Sequence, residues 1–174
     1  VLLFARTREE TGTLMALFAT RRVTKSYVAL VRGWSEPQGT VDSPLTRLVD
    51  RRGRKIVQGE RQEAVTRYET LARVEHPIPC APHATTRASV VLVHPESGRY
   101  RQIRRHFKHI FHPIVGDTTF GDGATNRHFR AHFHIFRLML HASELILPLP
   151  QGPLHITAPL PSLFQNVAPA LLDY

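Results

Sequence analysis

The stretch Gly98-Arg99-Tyr100-Arg101-Gln102-Ile103-Arg104-Arg105-His106, followed directly by Phe107-Lys108-His109-Ile110-Phe111, is the most informative part of the sequence. At about 100° per residue, a helix here separates four cations from four large apolar residues. The cations are Arg101, Arg104, Arg105 and Lys108, and the apolar residues are Ile103, Phe107, Ile110 and Phe111. The pattern predicts an amphipathic helix whose apolar face packs on a core. Taken alone, its cationic face is equally typical of a solvated surface helix.

The residues before this stretch indicate how it joins the fold. Residues 88–93 form an apolar run with strand character, and His94-Pro95-Glu96-Ser97-Gly98 is typical of a turn. The sequence therefore predicts a strand-turn-helix unit with the cations where the helix follows the turn. Functional groups often occupy such places.

The charge balance indicates an acidic polymer as the partner. The chain carries 23 Lys and Arg against 14 Asp and Glu, which gives a formal net charge of +9. Most of the cations are Arg, whose guanidinium binds phosphate bidentately and stacks on bases. No apolar run approaches the roughly 18 residues of a membrane-spanning helix, and no lipidation signal is present. Nucleic acid is therefore favoured over a membrane surface.

The length and the cysteine content predict the organisation and the compartment. A chain of 174 residues predicts one domain, residues 1–174, that is large enough to bury a stable core without disulfides or metal ions. We expect a monomer by default. Cys80 is the only cysteine, which excludes an intramolecular disulfide and favours a reducing compartment, the cytoplasm.

The remaining pattern predicts an α+β fold with a mainly antiparallel mixed sheet flanked by short helices and loops. Residues 1–5 predict a buried strand, and the capping-box pattern from Thr7 to Glu10 predicts a helix after it. Residues 25–31 have apolar side chains at both odd and even positions, which predicts a strand covered on both faces. Further strands are predicted at 64–74, 86–93, 138–147 and 154–158, and further helices at 126–136 and 161–172.

The segment 35–63 is rich in Pro, Gly and charge, which predicts a hairpin or a mobile loop. It contains the densest basic cluster of the chain, Arg51-Arg52-Gly53-Arg54-Lys55. Such a cluster is either solvated and structurally idle or in contact with phosphate, and the sequence leaves both open.

Several kinds of site find no support. The chain has 11 His, with His106, His109 and His112 three apart, but it has one Cys and no His-Glu-x-x-His motif. We therefore predict no metal site, and interpret the histidines as buried or RNA-facing. Gly121-Asp122-Gly123 lacks the Lys and the Ser or Thr of a phosphate-binding loop, and no Ser lies in a Gly-x-Ser-x-Gly elbow.

Single-stranded nucleic acid fits the pattern better. Arg-rich segments alternate with aromatic residues on which bases could stack, although most of these rings belong in the core. The aromatic residues are Tyr27, Tyr68, Tyr100, Phe107 and Phe133.

Four segments resemble, in order, the motifs of the RluA family of RNA pseudouridine synthases. Lys25-Ser26-Tyr27-Val28-Ala29-Leu30-Val31-Arg32-Gly33 resembles the second motif, and the stretch from Gly98 to His106 resembles the third. His112-Pro113-Ile114-Val115-Gly116-Asp117 and Leu140-His141-Ala142 complete the pattern. The resemblance implies the pseudouridine synthase fold over almost the whole chain.

Two features resemble one branch of that family, tRNA pseudouridine synthase C. Arg101 stands where many members have His. Ala64-Val65-Thr66-Arg67-Tyr68, followed by Leu71-Ala72-Arg73-Val74-Glu75, is similar to that branch as well. The implied partner is therefore RNA, with tRNA the expected substrate.

The resemblance also implies a reaction and its residues. These enzymes detach uracil from its ribose, rotate it and reattach it through carbon 5, with an Asp as nucleophile or acid-base group and no cofactor. The catalytic residues implied here are Tyr27, which stacks on the flipped uracil and can serve as the base, and Arg104, which pairs with the catalytic Asp. The RNA-binding residues that we predict are Lys25, Arg99, Arg101, Arg105, His106 and Lys108.

The family's catalytic Asp is not in this sequence. It belongs to a His-Arg-Leu-Asp motif that precedes the strand expected at Val1, whereas here no Asp precedes Asp42. The later candidates Asp50, Asp117 and Asp122 lie in turn-like contexts. We therefore expect the chain to be the C-terminal major part of a catalytic domain, with the carboxylate partner of Arg104 upstream.

Two hypotheses follow from the missing motif. For an intact parent protein we expect a uridine-to-pseudouridine isomerase, with no activity from this chain alone. The alternative is a non-catalytic RNA-binding or ribosome-associated protein that keeps the synthase fold.

Overall fold

The structure, a computed structural model, describes residues 1, 3–51, 54–80 and 82–169, with the backbone alone for residues 47–51 and 54–58. Its helices are α1 (Arg8–Ala19), α2 (Gln102–His109), α3 (Gly123–Phe133) and α4 (Ser162–Val167). Its strands are β1 (Thr24–Arg32), β2 (Gln38–Asp42), β3 (Leu45–Arg51), β4 (Arg54–Gln62), β5 (Val65–His76), β6 (Thr86–Pro95), β7 (Leu140–Leu149) and β8 (Gly152–Thr157).

One antiparallel sheet organises the molecule. Six strands pair in the order β2-β5-β6-β1-β7-β8, while β3 and β4 form a separate two-stranded sheet. This confirms the predicted α+β fold with a mainly antiparallel sheet. β1 pairs with β6 on one side and β7 on the other, and residues 28–31 are fully buried, as the apolar run on both parities predicts.

The β3–β4 hairpin is the structure of the Pro- and Gly-rich segment. Its strands pair antiparallel from Leu45↔Gln62 to Arg51↔Arg54. Within the basic cluster, Arg52 and Gly53 lie outside the described residues, as do the side chains of Arg51, Arg54 and Lys55. The interpretation of the cluster as a phosphate contact stays a prediction.

The first turn of α1 is stabilised by the predicted capping box. Glu10 N donates to Thr7 Oγ1 at 3.2 Å, and Thr7 N donates to the Glu10 carboxylate at 3.0 Å. The strand predicted at residues 1–5 is wrong, since the described residues there carry no strand and Phe4 is 81% exposed. β7, the strand nearest to Val1, already pairs with β1 and β8.

The helix in the basic stretch is shorter than its periodicity predicts. Arg101 is the residue before α2 and has φ 52°, a left-handed conformation, so it does not continue the helical face of Arg104. At the other end Ile110 closes the helix and Phe111 has φ 63° with 79% exposure. Phe111, which the spacing places on the apolar face, therefore lies outside the helix and is exposed.

Helices cover the sheet through aromatic contacts. Phe107 of α2 lies on Tyr68 of β5 with ring centroids 5.4 Å apart, and Phe133 of α3 lies on His76 of β5 at 4.7 Å. Phe164 and Val167 of α4 are buried. None of the helices in the described part of the chain is long and apolar enough to cross a membrane.

Candidate active site

A cavity of about 360 Å³ lies where the start of β1 meets the turn before α2. Five of the eight residues predicted for catalysis or RNA binding line it, namely Lys25, Tyr27, Arg99, Arg101 and Arg104. The two motifs that contribute these residues are about 70 positions apart in the sequence. The antiparallel pairing of β1 with β6, the strand that leads into α2, brings them together.

Tyr27 is presented to the cavity by an irregularity in the sheet. The register between β1 and β7 shifts between Ser26 and Tyr27, which pairs Tyr27 with Ala142. A bulge of this kind redirects the side chain beside it. Burial raises the pKa of the Tyr27 phenol, so the hydroxyl keeps its proton at neutral pH.

The apolar part of the cavity surrounds this tyrosine. It is contributed by Phe18, Pro95, Ile103 and Leu140. Apolar walls with a few convergent polar groups are typical of sites that bind a small planar group.

Arg104 is held by a carboxylate within the chain. Its Nε donates to Asp117 Oδ2 at 2.7 Å and its Nη2 donates to Asp117 Oδ1 at 2.7 Å. The side chains are 17% and 1% exposed, and the Phe120 ring centroid lies 5.4 Å from the guanidinium carbon. Arg104 thus has a carboxylate partner within the chain, Asp117, whereas the expectation that the catalytic Asp of the family lies upstream of Val1 stays a prediction.

The charges of this pair are mutually stabilised. Burial alone would raise the pKa of Asp117, but hydrogen bonds from Arg104 and from the backbone N–H groups of Phe120 and Thr119 bring it below its usual value. The hydrogen bonds that Arg104 donates to Asp117 raise the pKa of Arg104 against the effect of its burial. The pair therefore stays ionised through the neutral pH range.

Lys25, Arg99 and Arg101 form the cationic part of the cavity. Lys25 Nζ donates to the Ser97 carbonyl at 3.4 Å, and burial, with a contribution from Arg21, lowers its pKa. Arg99 Nε donates to the Glu63 carbonyl at 3.0 Å. Arg101 lies over the exposed ring of Tyr100, with its guanidinium carbon 4.8 Å from the ring centroid.

Three predicted RNA-binding residues lie outside the cavity. Arg105 Nη1 donates to the Thr46 carbonyl at 3.0 Å, so it attaches α2 to the β3–β4 hairpin. Lys108 is exposed on the solvent side of α2. His106 is fully buried with its Nε2 3.1 Å from the Ser43 carbonyl, and a side chain without exposed surface cannot contact RNA. His106 is therefore not an RNA-binding residue in this structure.

Sequence reasoning missed three residues of the site. Gln102 is buried and accepts hydrogen bonds from Ser97 Oγ at 2.8 Å and from Arg99 N at 3.0 Å, which shapes the cavity wall. Asp117 and Phe120 hold Arg104. One signal could have found Asp117, namely its position in a segment that resembles a family motif. A buried carboxylate needs a cationic partner, and Arg104 lies on the helix just before that segment.

A larger cavity of about 550 Å³ lies at the other end of β1 and contains none of the predicted residues. Its walls include Arg32, Trp34 and Arg87. Arg32 lies five positions from Tyr27, or about 17 Å along an extended strand. The two arginines of the larger cavity already pair with acidic side chains, Arg32 with Asp122 and Arg87 with Glu75. We therefore assign the candidate site to the smaller cavity, which both Arg104 and Tyr27 line.

Comparisons with known proteins show the family of the chain. The family described as RNA pseudouridylate synthase matches residues 1–109. The chain is 45% identical over 171 residues to tRNA pseudouridine synthase C of Vibrio cholerae, covering 96% of this chain and 70% of that protein. It is 39% identical over 171 residues to the protein of that name from Haemophilus influenzae, covering 96% and 72%.

A solved structure shares the fold. Human RNA Pseudouridylate Synthase Domain Containing 1 superposes with a TM-score of 0.71 at 29% identity, over 91% of this chain and 64% of that one.

Proposed function

This chain belongs to the RNA pseudouridylate synthase family, and from that premise we propose that the protein containing it isomerises a uridine of tRNA to pseudouridine. The similarity to proteins named tRNA pseudouridine synthase C supports tRNA as the substrate. The observation that carries the proposal is that Tyr27 and Arg104 line one cavity, next to the point where β7 bulges at Ser143.

The proposed reaction rearranges one nucleotide without changing its atoms. The bond between C1′ of the ribose and N1 of uracil breaks, the base rotates, and a bond from C1′ to C5 forms. The proton on C5 leaves, and N1 gains a proton. The uridine must first leave its base stack, which costs a few kcal/mol, and the enzyme must offer the exposed base a new surface.

Tyr27 supplies that surface. Its ring lies among Ile103, Leu140 and Pro95, so one face of a uracil could stack on it while the apolar walls exclude water. Because burial raises the pKa of its phenol, Tyr27 meets the base as a neutral hydrogen-bonding group rather than as a preformed phenolate.

Arg104 supplies positive charge at the reacting end of the cavity. The family resemblance implies an Asp that acts as nucleophile or acid-base group, and a nearby guanidinium would keep such a carboxylate ionised in a dry pocket. Lys25, Arg99 and Arg101 would hold the phosphates that flank the flipped nucleotide.

The test uses the full-length protein encoded by the gene and an unmodified tRNA carrying 5-tritiated uridine. We expect tritium release into water, because the C5 proton is lost. Arg104→Lys keeps the charge but cannot bridge a carboxylate bidentately, so turnover should fall by about 100-fold or more. RNA affinity should stay within about tenfold of wild type.

Two outcomes would argue against the proposal. If wild type binds tRNA but releases no tritium, the protein is an RNA-binding member of the family without the activity. If Arg104→Lys turns over normally, Arg104 has no role in the chemistry. The same assay on residues 1–174 alone tests the expectation that this chain is inactive.

A further inference from the structure

The contacts of Arg104 divide its guanidinium into two edges. Nε and Nη2 lie on one edge, and both donate to Asp117. The opposite edge carries Nη1, which has no hydrogen-bond partner among the described residues, and Arg104 lines the cavity. With one edge bound to Asp117 and one face covered by Phe120, the edge left for the cavity is that of Nη1.

The loop that presents Asp117 is itself closely held. Oδ1 of Asp117 accepts from the N–H groups of Thr119 at 2.8 Å and Phe120 at 2.9 Å. Its carbonyl accepts from Gly121 N at 3.1 Å and from Asn126 Nδ2 at 2.8 Å. Two contacts therefore hold the carboxylate of Asp117 and two hold its backbone carbonyl, and none of the four involves Arg104.

A tight backbone approach fixes the same loop. A Cβ on Gly121 would lie 2.1 Å from the Asp117 carbonyl oxygen, so only glycine fits there. Asn126 Oδ1 also accepts from Gly116 N at 2.8 Å, which ties the start of the loop to α3. Such rigidity is what a group that orients a catalytic side chain requires.

We propose that Asp117 is a positioning residue, which holds Arg104 so that its Nη1 edge faces the target uridine and the catalytic carboxylate of the family. This inference rests on the proposed function and adds a residue to it. Because Asp117 holds the Nε edge, the arginine enters the site as an oriented cationic hydrogen-bond donor.

The first experiment reads the orientation of Arg104 without any enzyme assay. In residues 1–174, nuclear magnetic resonance reports solvent exchange of the Arg104 Nε–H, which the bond to Asp117 protects. Asp117→Asn should speed this exchange by about tenfold or more, the effect of losing a charge-assisted hydrogen bond.

Asp122→Asn is the matched control, since it makes the same chemical change five positions away. Asp122 accepts from Thr125 N at 2.7 Å to cap α3, a role that Asn also fills. This variant should leave the Arg104 Nε–H exchange as it is in wild type. Unchanged exchange in Asp117→Asn would overturn the proposal.

The second experiment measures turnover in the full-length protein. Asp117→Asn should lower kcat by about 100-fold, the loss expected for about 1 Å of misplacement, with KM changed by less than about threefold. In an Arg104→Lys background the same substitution should change kcat by less than about threefold, because the oriented guanidinium is already gone. Equal losses in both backgrounds would show a general structural effect and would refute positioning.

A second variant covers the case in which Asp117→Asn fails to fold. Asn126→Ala keeps both charges but removes two hydrogen bonds that hold the loop. We expect a smaller loss in kcat, again absent in the Arg104→Lys background, and a loss that persists there would contradict the inference. If wild type is inactive, the proposed function fails, and the exchange measurement alone decides whether Asp117 orients Arg104.

Discussion

Tyr27 shows most directly how the chemistry of one residue depends on its surroundings. Its ring and its hydroxyl have separable roles, because stacking needs only the aromatic face while proton transfer needs the oxygen. It lies opposite the bulge at Ser143 of β7 and lines the cavity, and burial raises the pKa of its phenol. The same residue on the regular part of the strand would pack in the core.

Substitutions at Tyr27 should separate ring from hydroxyl. Tyr27→Ala removes the stacking surface, so affinity for an unmodified tRNA should fall by about 5- to 150-fold, which corresponds to the roughly 1–3 kcal/mol of one base–aromatic stack. Tyr27→Phe keeps the ring and should bind within about threefold of wild type. Fluorescence anisotropy of labelled tRNA on residues 1–174 measures both, and an equal loss in the two variants would exclude stacking.

At the scale of elements, α2 connects the site to the hairpin. Three consecutive residues contact two separate parts of the chain, because each step along a helix turns by about 100°. Arg104 reaches Asp117, Arg105 reaches the carbonyl of Thr46 and His106 reaches that of Ser43. The helix therefore holds the loop behind the cavity and the base of the β3–β4 hairpin at once.

The contact of His106 makes this attachment sensitive to pH. Burial lowers the pKa of His106, the hydrogen bond to the Ser43 carbonyl opposes this, His109 and Arg105 lower it further, and Asp42 raises it. Its Nδ1 is buried without a partner among the described residues. The folded state thus keeps the neutral ring, whereas the unfolded chain takes up a proton below about pH 6.5.

Stability should therefore fall as the pH drops below that value, because the unfolded state then binds more protons. His106→Gln cannot titrate, so its Tm should fall less than that of wild type between about pH 7.5 and about pH 5.5. His155, exposed on β8, provides the control, and His155→Gln should follow wild type. An identical fall in wild type and His106→Gln would rule out this role.

The limits of sequence reasoning are visible in this same helix. Periodicity correctly places Ile103 and Phe107 in the core, since apolar spacing is a local property. It says nothing of what covers the other faces, and the partners of Arg105 and His106 lie about 60 positions away. Local backbone geometry also overrides the pattern at both ends, where Arg101 and Phe111 adopt left-handed conformations.

At the scale of the whole molecule, the sheet explains why the motifs could be found but their pairing could not. Residues near Tyr27 and Arg104 stand out as motifs, and the resemblance assigns their roles. The pairing of Arg104 with Asp117 depends on a turn and on two hydrogen bonds from side chain to side chain, which no periodic signal encodes. The sequence predicts a catalytic carboxylate upstream as the partner of Arg104, but it gives no sign of the second carboxylate, Asp117, 13 positions after the arginine.

The net charge of +9 is a property of the whole molecule, but RNA binding depends on where the cations lie. Arg99 and Arg101 line the cavity, and Lys108 is exposed on α2, whereas Arg105 is committed to the Thr46 carbonyl. We therefore expect the first three to contact phosphate and Arg105 to contribute through the fold.

Replacing Arg99, Arg101 and Lys108 with Gln should reduce the slope of log K against log salt for tRNA binding by about 2, because each phosphate contact contributes roughly 0.7 to 0.9. The control replaces three cations that are exposed and outside the cavity, Arg8, Arg22 and Arg130. Both variants lose three charges, so a general charge effect would change both slopes equally. A slope reduced only in the first variant places the RNA on the cavity side, whereas equal slopes would make the cationic face of α2 a solvated surface.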